Sequence, residues 1–264
     1  MRVALGQIDM VWEDKEASVL LAEKMIIEAK QSGADIIIFP EMSFTGFSMN
    51  LSKIGEYREE SYTLNKMSEY AVRYNIAIGF GWAQCFRDCD KGANMFTVVD
   101  RDGSIVSEYR KIHPFTHGGE SDIYEGGSDI ANFSFMGHRI SLFICYDLRF
   151  PEIFQIASRK SDMFMVIANW PAVRREHWET LLRARAIENQ SYVIGVNCFG
   201  NRDNLEYSGD SMAVDALGNV IGKISDKAGV VVCDIDDRAW NLRDKFNVKA
   251  DRREELYCSL YQKI

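Results

Sequence analysis

The stretch from residue 140 to residue 152, ISLFICYDLRFPE, decides how the rest of the chain is interpreted. Its first five residues form an apolar, partly β-branched run with the length of a buried strand. Pro151 and Glu152 then mark the first turn of a helix. Cys145 therefore stands at the carboxyl end of a strand and close to a helix start, where α/β sheets bind ligands and where a thiolate is favoured. The alternative is a buried structural cysteine, and the rest of the sequence has to decide between the two.

Strands and helices alternate along the whole chain of 264 residues. Short apolar runs predict strands at 3–8, 36–39, 76–84, 95–99, 104–109, 130–135, 139–144, 163–168, 192–198, 212–214, 220–224 and 230–233. Helical periodicity and capping residues predict helices at about 15–32, 63–74, 151–160 and 176–189. Residues 111–128 are predicted to form a long loop of the kind that is often functional, and the tail beyond about 236 is left unassigned.

The second half of this pattern loosely echoes the first, and no linker separates the two halves. We therefore expect a single domain over residues 1–264. The expected fold class is α/β, arranged as a four-layer α-β-β-α sandwich in which two mixed sheets pack face to face with helices outside.

Composition and charge exclude several classes of function. The 31 Lys and Arg residues against 39 Asp and Glu residues give a net charge of −8, which argues against nucleic acid or an anionic membrane surface as a partner. No apolar run is long enough for a transmembrane helix. The six cysteines are scattered and the N-terminal residues resemble a strand more than a signal peptide, so we expect reduced thiols and a cytoplasmic protein.

No cofactor or metal is expected from the sequence. Cys85 and Cys89 have a spacing that would suit half of a metal site, but no second Cys or His pair stands at a matching distance.

Reactive groups follow three of the predicted strands. Glu41 comes after the strand at 36–39, Lys111 after the strand at 104–109, and Cys145 after the strand at 139–144. A carboxylate in a place where water is scarce suits a general base, and a lysine can neutralise a developing oxyanion. Taken singly, Glu41 could cap a loop and Lys111 could be a solvated charge. Taken jointly, the three groups are the parts needed for acyl transfer through a thioester.

The motifs that contain these groups resemble those of a known superfamily. FPE at 39–41, YRK at 109–111 and ICYD at 144–147 resemble the Glu-Lys-Cys signature of the nitrilase, or carbon–nitrogen hydrolase, superfamily. Further matches extend the resemblance over essentially the whole chain: ANWP at 168–171, RARAIENQ at 183–190 and GDS at 209–211. The resemblance implies a nitrilase-like fold and amide hydrolysis through a cysteine thioester.

The sequence CYDLRFPE followed by ANWP looks most like the ω-amidase branch. Enzymes of that branch remove the terminal amide of 2-oxo dicarboxylic acid monoamides such as 2-oxoglutaramate or 2-oxosuccinamate. The alternatives are another amidase of the superfamily or an N-carbamoyl amidase. The resemblance also implies a homodimer.

The resemblance further implies a catalytic role for a second glutamate between the lysine and the cysteine. Glu120 and Glu125 compete for this role, and we favour Glu120 because it stands seven residues before Gly127, as the superfamily glutamate commonly stands before its loop glycine. Its expected role is to hold Lys111 and to help position the substrate or the attacking water.

Three residues are expected to bind the substrate: Tyr146, Arg149 and Trp170. The backbone N–H of Tyr146 would stabilise the oxyanion together with Lys111. Arg149 would pair with a substrate carboxylate, or alternatively brace the loop by pairing with Asp147 or Glu152. Trp170 would line the pocket wall.

Two alternatives from other classes remain open. The first is a Cys-His hydrolase in which one of the four histidines, at positions 113, 117, 138 and 177, acts as the base. The second is a scaffold or binding module that has this fold without activity.

Overall fold

The computed structural model describes residues 1–263. The first half of the chain supplies six strands of one sheet: Arg2–Gln7 (β1), Ile36–Ile38 (β2), Glu56–Tyr57 (β3), Ala77–Phe86 (β4), Cys89–Val99 (β5) and Ile105–Arg110 (β6). A second sheet follows, built from Asn132–Phe135 (β7), His138–Ile144 (β8), Met163–Ala168 (β9), Tyr192–Asn197 (β10), Phe199–Arg202 (β11), Leu205–Val214 (β12) and Val220–Ser225 (β13). The last strand, Gly229–Asp234 (β14), returns to the first sheet and pairs with β1.

Both sheets have seven strands and are mixed. The first has the order β14-β1-β2-β4-β5-β6, with β3 paired to β4, and the second has the order β11-β12-β10-β9-β8-β7, with β13 paired to β12. The pairs β1–β2, β2–β4, β8–β9 and β9–β10 are parallel, whereas β4–β5, β5–β6 and β7–β8 are antiparallel.

Eight α-helices accompany the two sheets in the described residues: Lys15–Gln31 (α1), Leu51–Ile54 (α2), Tyr62–Tyr74 (α3), Glu120–Ile123 (α4), Pro151–Ala157 (α5), Arg175–Asn189 (α6), Arg238–Lys245 (α7) and Glu254–Tyr261 (α8). Local signals explain several of their ends. Asp14 accepts a hydrogen bond from the Ala17 N–H at the start of α1, and Pro151 occupies the first turn of α5.

Alternation along the central strands assigns their two faces to different layers. Ile36 and Ile38 of β2 pack in a core that also contains residues of β8 and β9, whereas Ile37 packs in a second core with residues of α1 and α3. The first core therefore includes the space between the sheets and continues to residues of α5 and α6, whereas the second lies beneath α1 and α3. This arrangement confirms the predicted four-layer sandwich.

Most of the predicted strands and helices are confirmed with small shifts at their ends, and β9 is confirmed as predicted. The prediction of a plain loop over 111–128 was wrong, because this segment contains a 3₁₀ turn at Thr116–Gly118 and the short helix α4. The strand predicted at 212–214 begins at Leu205 and pairs with β11, which was not predicted. Asp203 and Asn204 form the two-residue turn between them, both with positive φ.

The fold brings several strand ends to one edge of the sandwich. Lys111 directly follows β6 and Cys145 directly follows β8, while Glu41 comes three residues after β2. Gly81 of β4 lets the neighbouring backbone approach closely, since a Cβ atom there would lie 2.4 Å from the nitrogen of Met42. The backbone that carries Glu41 is therefore held directly against β4.

Among residues 1–263, no helix is long and apolar enough to cross a bilayer.

Candidate active site

Cys145 lies on a strained turn directly after β8. Its φ of 45° is in the left-handed region, which a non-glycine residue adopts only where the surrounding structure holds it. The residues from Cys145 to Arg149 form a 3₁₀ helix. The N–H groups at the start of such a helix have no partner within the helix, so that of Tyr146 is suited to bind an oxyanion.

The buried carboxylate of Asp147 holds this turn in place. Its Oδ2 accepts hydrogen bonds from the Ile144 N–H at 3.0 Å and from the Tyr109 hydroxyl at 2.7 Å. Its Oδ1 accepts one from the His113 N–H at 3.0 Å and lies 2.9 Å from Nδ1 of the same histidine. Asp147 therefore ties the turn to β6 and to the segment after Lys111.

Three charged side chains form a buried cluster beside this turn. The Lys111 Nζ lies 2.8 Å from Oε1 of Glu41 and 2.7 Å from Oε2 of Glu120. All three side chains are at most 1% exposed. The cluster thus holds two carboxylates and one ammonium group away from water.

Glu120 and Glu125, the two candidates for the second catalytic glutamate, occupy different environments. Glu120 is buried in the cluster, and its Oε2 also accepts a hydrogen bond from the Phe115 N–H at 2.6 Å. Glu125 is half exposed and pairs with Arg110 at 2.8 Å. The structure brings Glu120, and not Glu125, to Lys111.

Asn169, directly after β9, links the cluster to the cysteine. Its N–H donates to Oε2 of Glu41 at 2.9 Å, and its Nδ2 donates to the Glu41 carbonyl oxygen. Its own carbonyl oxygen lies 4.0 Å from the Cys145 Sγ. The residue was part of the ANWP motif, but its position between Glu41 and Cys145 was not predicted.

Electrostatics define the resting protonation states of the cysteine and the lysine. Burial and the nearby Glu41 carboxylate raise the pKa of the Cys145 thiol well above its ordinary value. Burial disfavours the Lys111 ammonium, but Glu120 and Glu41 outweigh this effect and raise the pKa of Lys111. The preference for a thiolate near a helix start is therefore outweighed at this site. Cys145 rests as a neutral thiol and needs a base, while Lys111 stays charged.

Burial also acts on the second carboxylate of the cluster. It raises the pKa of Glu120, and the opposite charge of Lys111 counters only part of this effect.

A cavity of about 290 Å³ opens onto Cys145. Its wall includes Tyr146, Arg149 and Trp170, the three predicted binding residues, together with Arg174 and aromatic side chains such as Phe47 and Phe115. No histidine of residues 1–263 is part of this wall. His113 is engaged with Asp147 instead, so the geometry does not favour a histidine base.

The two arginines on the cavity wall are available for an anion. The Arg149 guanidinium lies over the Trp170 ring, 4.7 Å from its centroid, and its Nη2 is 3.3 Å from Nδ1 of His177. The Arg174 guanidinium lies 5.8 Å from the centroid of Phe115. Neither arginine forms an ion pair with a carboxylate of residues 1–263, so Arg149 does not brace the loop through Asp147 or Glu152.

Metal binding finds no support in the described part of the chain. Residues 1–263 contain no group of three or more His, Cys, Asp or Glu side chains that could hold a metal ion.

The fold and this site define a class of enzyme. The family model for carbon–nitrogen hydrolases matches residues 2–243. The chain therefore belongs to the carbon–nitrogen hydrolase family, and it is an enzyme that acts on amides. The resemblance to the nitrilase superfamily is thereby confirmed.

Two relatives with assigned names are similar to this chain over most of its length. A protein named omega-amidase from Yersinia enterocolitica is 38% identical over 221 residues, which cover 83% of each chain. A protein named 2-oxoglutaramate amidase from Bacillus subtilis is 31% identical over 254 residues, covering 95% of this chain and 97% of the relative. These relatives confirm the similarity to the ω-amidase branch.

Solved structures share the same fold. A CN-hydrolase superfamily protein from Xanthomonas campestris, whose crystal structure has an arsenic adduct in the active site, superposes with a TM-score of 0.88 at 29% identity. The superposition covers 96% of this chain and 97% of the other.

We expect Asp147→Ala to lower the free energy of unfolding by about 3 kcal/mol or more, because three buried or part-buried donors lose their acceptor. Urea unfolding followed by circular dichroism measures this change. Glu152→Ala, which removes an exposed carboxylate five residues later, serves as the control and should change stability by less than about 0.5 kcal/mol. Equal losses in both variants would show that Asp147 does not hold the turn.

Proposed function

We propose that the enzyme hydrolyses the terminal amide of short dicarboxylic acid monoamides of the 2-oxoglutaramate or 2-oxosuccinamate type, releasing the acid and ammonia. The observation that carries the proposal is a cavity that joins Cys145 to two arginines without carboxylate partners in the described chain. Such a cavity suits a small amide that carries one carboxylate at its far end. The names of the relatives in Yersinia enterocolitica and Bacillus subtilis agree with this substrate class.

The first half of the proposed reaction forms a thioester. Glu41 takes the proton of the Cys145 thiol while the sulfur attacks the amide carbon. The Tyr146 N–H and the Lys111 ammonium group stabilise the oxygen as it becomes negative. The tetrahedral intermediate then collapses, the carbon–nitrogen bond breaks, and the protonated Glu41 gives its proton to the leaving ammonia.

The second half hydrolyses the thioester. Glu41, again ionised, removes a proton from a water molecule that attacks the thioester carbon. The carbon–sulfur bond breaks, the carboxylic acid leaves, and the proton returns to the sulfur of Cys145. Glu120 holds Lys111 in place throughout and helps position the amide or the attacking water. The balance is one amide and one water converted to one acid and one ammonia.

Substrate recognition is assigned to the wall of the cavity. The guanidinium of Arg149 would bind the substrate carboxylate with two parallel hydrogen bonds, since no ion pair with residues 1–263 occupies it. The Trp170 ring lies against the guanidinium of this arginine and is itself fixed by the hydrogen bond from its Nε1 to the Arg174 carbonyl at 2.8 Å. Tyr146 completes the wall next to the cysteine.

We also propose a single catalytic domain over residues 1–264 that pairs into a homodimer. Of the apolar residues on α5, Phe154 and Ala157 are buried in the core, whereas Ile156 is 62% exposed. The helix that follows the nucleophile thus keeps an apolar side chain for a partner copy.

All six cysteines are free, which supports a reducing compartment and a place in the cytoplasm. Recovery of the protein from the periplasmic fraction or the culture medium would contradict that location.

Cys145→Ala should lower kcat for the preferred amide by at least about 10⁴-fold, because no other group takes over the nucleophile's role. The substrates to compare are 2-oxoglutaramate, 2-oxosuccinamate, glutamine, a nitrile and an N-carbamoyl amino acid, with ammonia release as the readout. Cys233→Ala, which replaces a buried cysteine that is not part of the cavity wall, should retain wild-type rates.

The same assay separates the remaining alternatives. Residual amidase activity in Cys145→Ala would refute the role of Cys145 as nucleophile. Preference for the carbamoyl substrate would replace the ω-amidase assignment by that of an N-carbamoyl amidase.

Glu120→Gln should lower kcat while Glu125→Gln leaves it unchanged, and the reverse result would exchange their roles. The four histidines, at 113, 117, 138 and 177, are each replaced by alanine in separate variants. A Cys-His hydrolase would be favoured if one of these variants lost activity while Glu41→Gln retained it.

Arg149→Leu should raise KM for 2-oxoglutaramate by about 10- to 100-fold, the range expected for a lost charge-assisted hydrogen-bonded pair. The kcat/KM for a neutral amide of similar length should change by less than about threefold, because that substrate has no carboxylate to bind. Steady-state kinetics on both substrates measure the difference. Equal effects on the two amides would remove Arg149 from carboxylate recognition.

Sedimentation velocity should give a particle of about twice the 30.2 kDa chain mass. Ile156→Glu should shift the population toward the monomer, because it places a charge in the apolar contact. Gln155→Glu, at the neighbouring position of the same helix, is the matched control and should leave the dimer intact. A monomeric wild-type chain would contradict the proposed pairing.

A further inference from the structure

Asn94 occupies the centre of the buried charged cluster, although no motif of the sequence drew attention to it. It lies on β5, next to Met95, which pairs with Arg110 of β6, and it is 1% exposed. Its main-chain carbonyl oxygen accepts a hydrogen bond from the Lys111 N–H at 3.0 Å. The backbone of Asn94 therefore fixes the point at which the Lys111 side chain leaves the sheet.

The side-chain amide of Asn94 joins the two carboxylates. Its Nδ2 donates to Oε1 of Glu41 at 2.7 Å and to Oε1 of Glu120 at 2.8 Å. Lys111 approaches Glu41 at the same oxygen, but it approaches Glu120 at the other one, Oε2. The two protons of one NH₂ group are thus shared between two acids, and one residue contacts all three charged partners.

The charges of the cluster explain why such a donor is needed. Two carboxylates and one ammonium leave an excess negative charge on side chains that are at most 1% exposed, and two like charges at close range tend to retain a proton. The Asn94 amide does not titrate, and its two N–H donors each bond to one of the two carboxylates.

The orientation of the amide is also determined by its neighbours. Exchange of its nitrogen and oxygen would turn Oδ1 toward two carboxylate oxygens, with no proton between them. In the present orientation Oδ1 is buried and has no hydrogen-bond partner among residues 1–263. An unpaired buried acceptor lowers stability, so the favourable contribution of Asn94 at this position comes from its two N–H donors.

We propose that Asn94 is a positioning residue that keeps Glu41 and Glu120 ionised together and aligned with Lys111, and so sets the lower pH limit of the reaction. The proposal rests on the proposed role of Glu41 as the base for Cys145. When the amide donors are removed, the two acids share a proton. Glu41 is then protonated in part of the molecules and cannot take the proton of the thiol.

The test uses Asn94→Leu and the nearly isosteric Asn94→Asp, both of which lack the NH₂ donors but keep the main-chain bond to Lys111. Two rates are measured from about pH 5 to about pH 9: kcat/KM for the amide, and alkylation of Cys145 by iodoacetamide, followed by mass spectrometry of the peptide that contains it. The acid limb of both profiles should move upward by about one to two pH units, the shift expected for a lost hydrogen bond to a charged group. The shift should be at least as large in Asn94→Asp, which adds a third acid.

A purely structural role predicts a different result. It would lower both rates by the same factor at every pH, and such parallel profiles would overturn the proposal. KM should change little in either variant, since Asn94 is not part of the cavity wall. Asn189→Leu, which removes another buried amide far from the cluster, is the control and should leave the acid limb at its wild-type pH.

The two rates also distinguish this inference from the proposed function. A shifted alkylation profile in a chain that cleaves none of the amides would refute the substrate assignment and keep the role of Asn94. Normal turnover with unshifted profiles would refute the role of Asn94 alone. Where Asn94→Leu does not fold, the Asn94→Asp profiles decide the question by the same criterion.

Discussion

The ammonium group of Lys111, buried between the carboxylates of Glu41 and Glu120, is the interaction on which the rest of the site depends. Taking three charged groups out of water is expensive, and it is possible only where the partners are already in place. Here they are held by the backbone: Lys111 directly follows β6, Glu41 follows β2 against Gly81 of β4, and Glu120 opens α4. The backbone of the fold therefore determines where the three charged side chains meet.

The same constraint explains the chemistry of the cysteine. Burial and the neighbouring Glu41 carboxylate raise the pKa of the Cys145 thiol, so the neutral thiol is favoured over the thiolate. In such an arrangement a neutral thiol can give its proton to the carboxylate while the fixed cation stabilises the oxyanion. The strained backbone of Cys145 is held by Asp147, and Cys145 forms part of the cavity wall.

Sequence patterns predicted the layers of the fold and the residues that follow the strands, because both depend on local signals. Glu41, Lys111 and Cys145 each come after an apolar run, and their convergence follows from the common edge of the sheets. Asn94 and Asn169 were not predicted as partners of Glu41, since their contacts join residues 53 and 128 positions apart. Asn94 stands directly before the strand predicted at 95–99 and follows the polar residues Asp90 and Lys91, so no local signal marked its side chain as buried. The β11–β12 hairpin was missed although Asp203-Asn204 is a turn signal.

The central claim is that Cys145 attacks the amide carbon and carries the acyl group. Rapid quenching of the enzyme with 2-oxoglutaramate in acid, followed by mass spectrometry of its peptides, tests this claim most directly. An acyl adduct is expected on the peptide that contains Cys145, formed within one turnover and lost as free acid accumulates. Ammonia release without any adduct at Cys145, or with an adduct on another side chain, would contradict it.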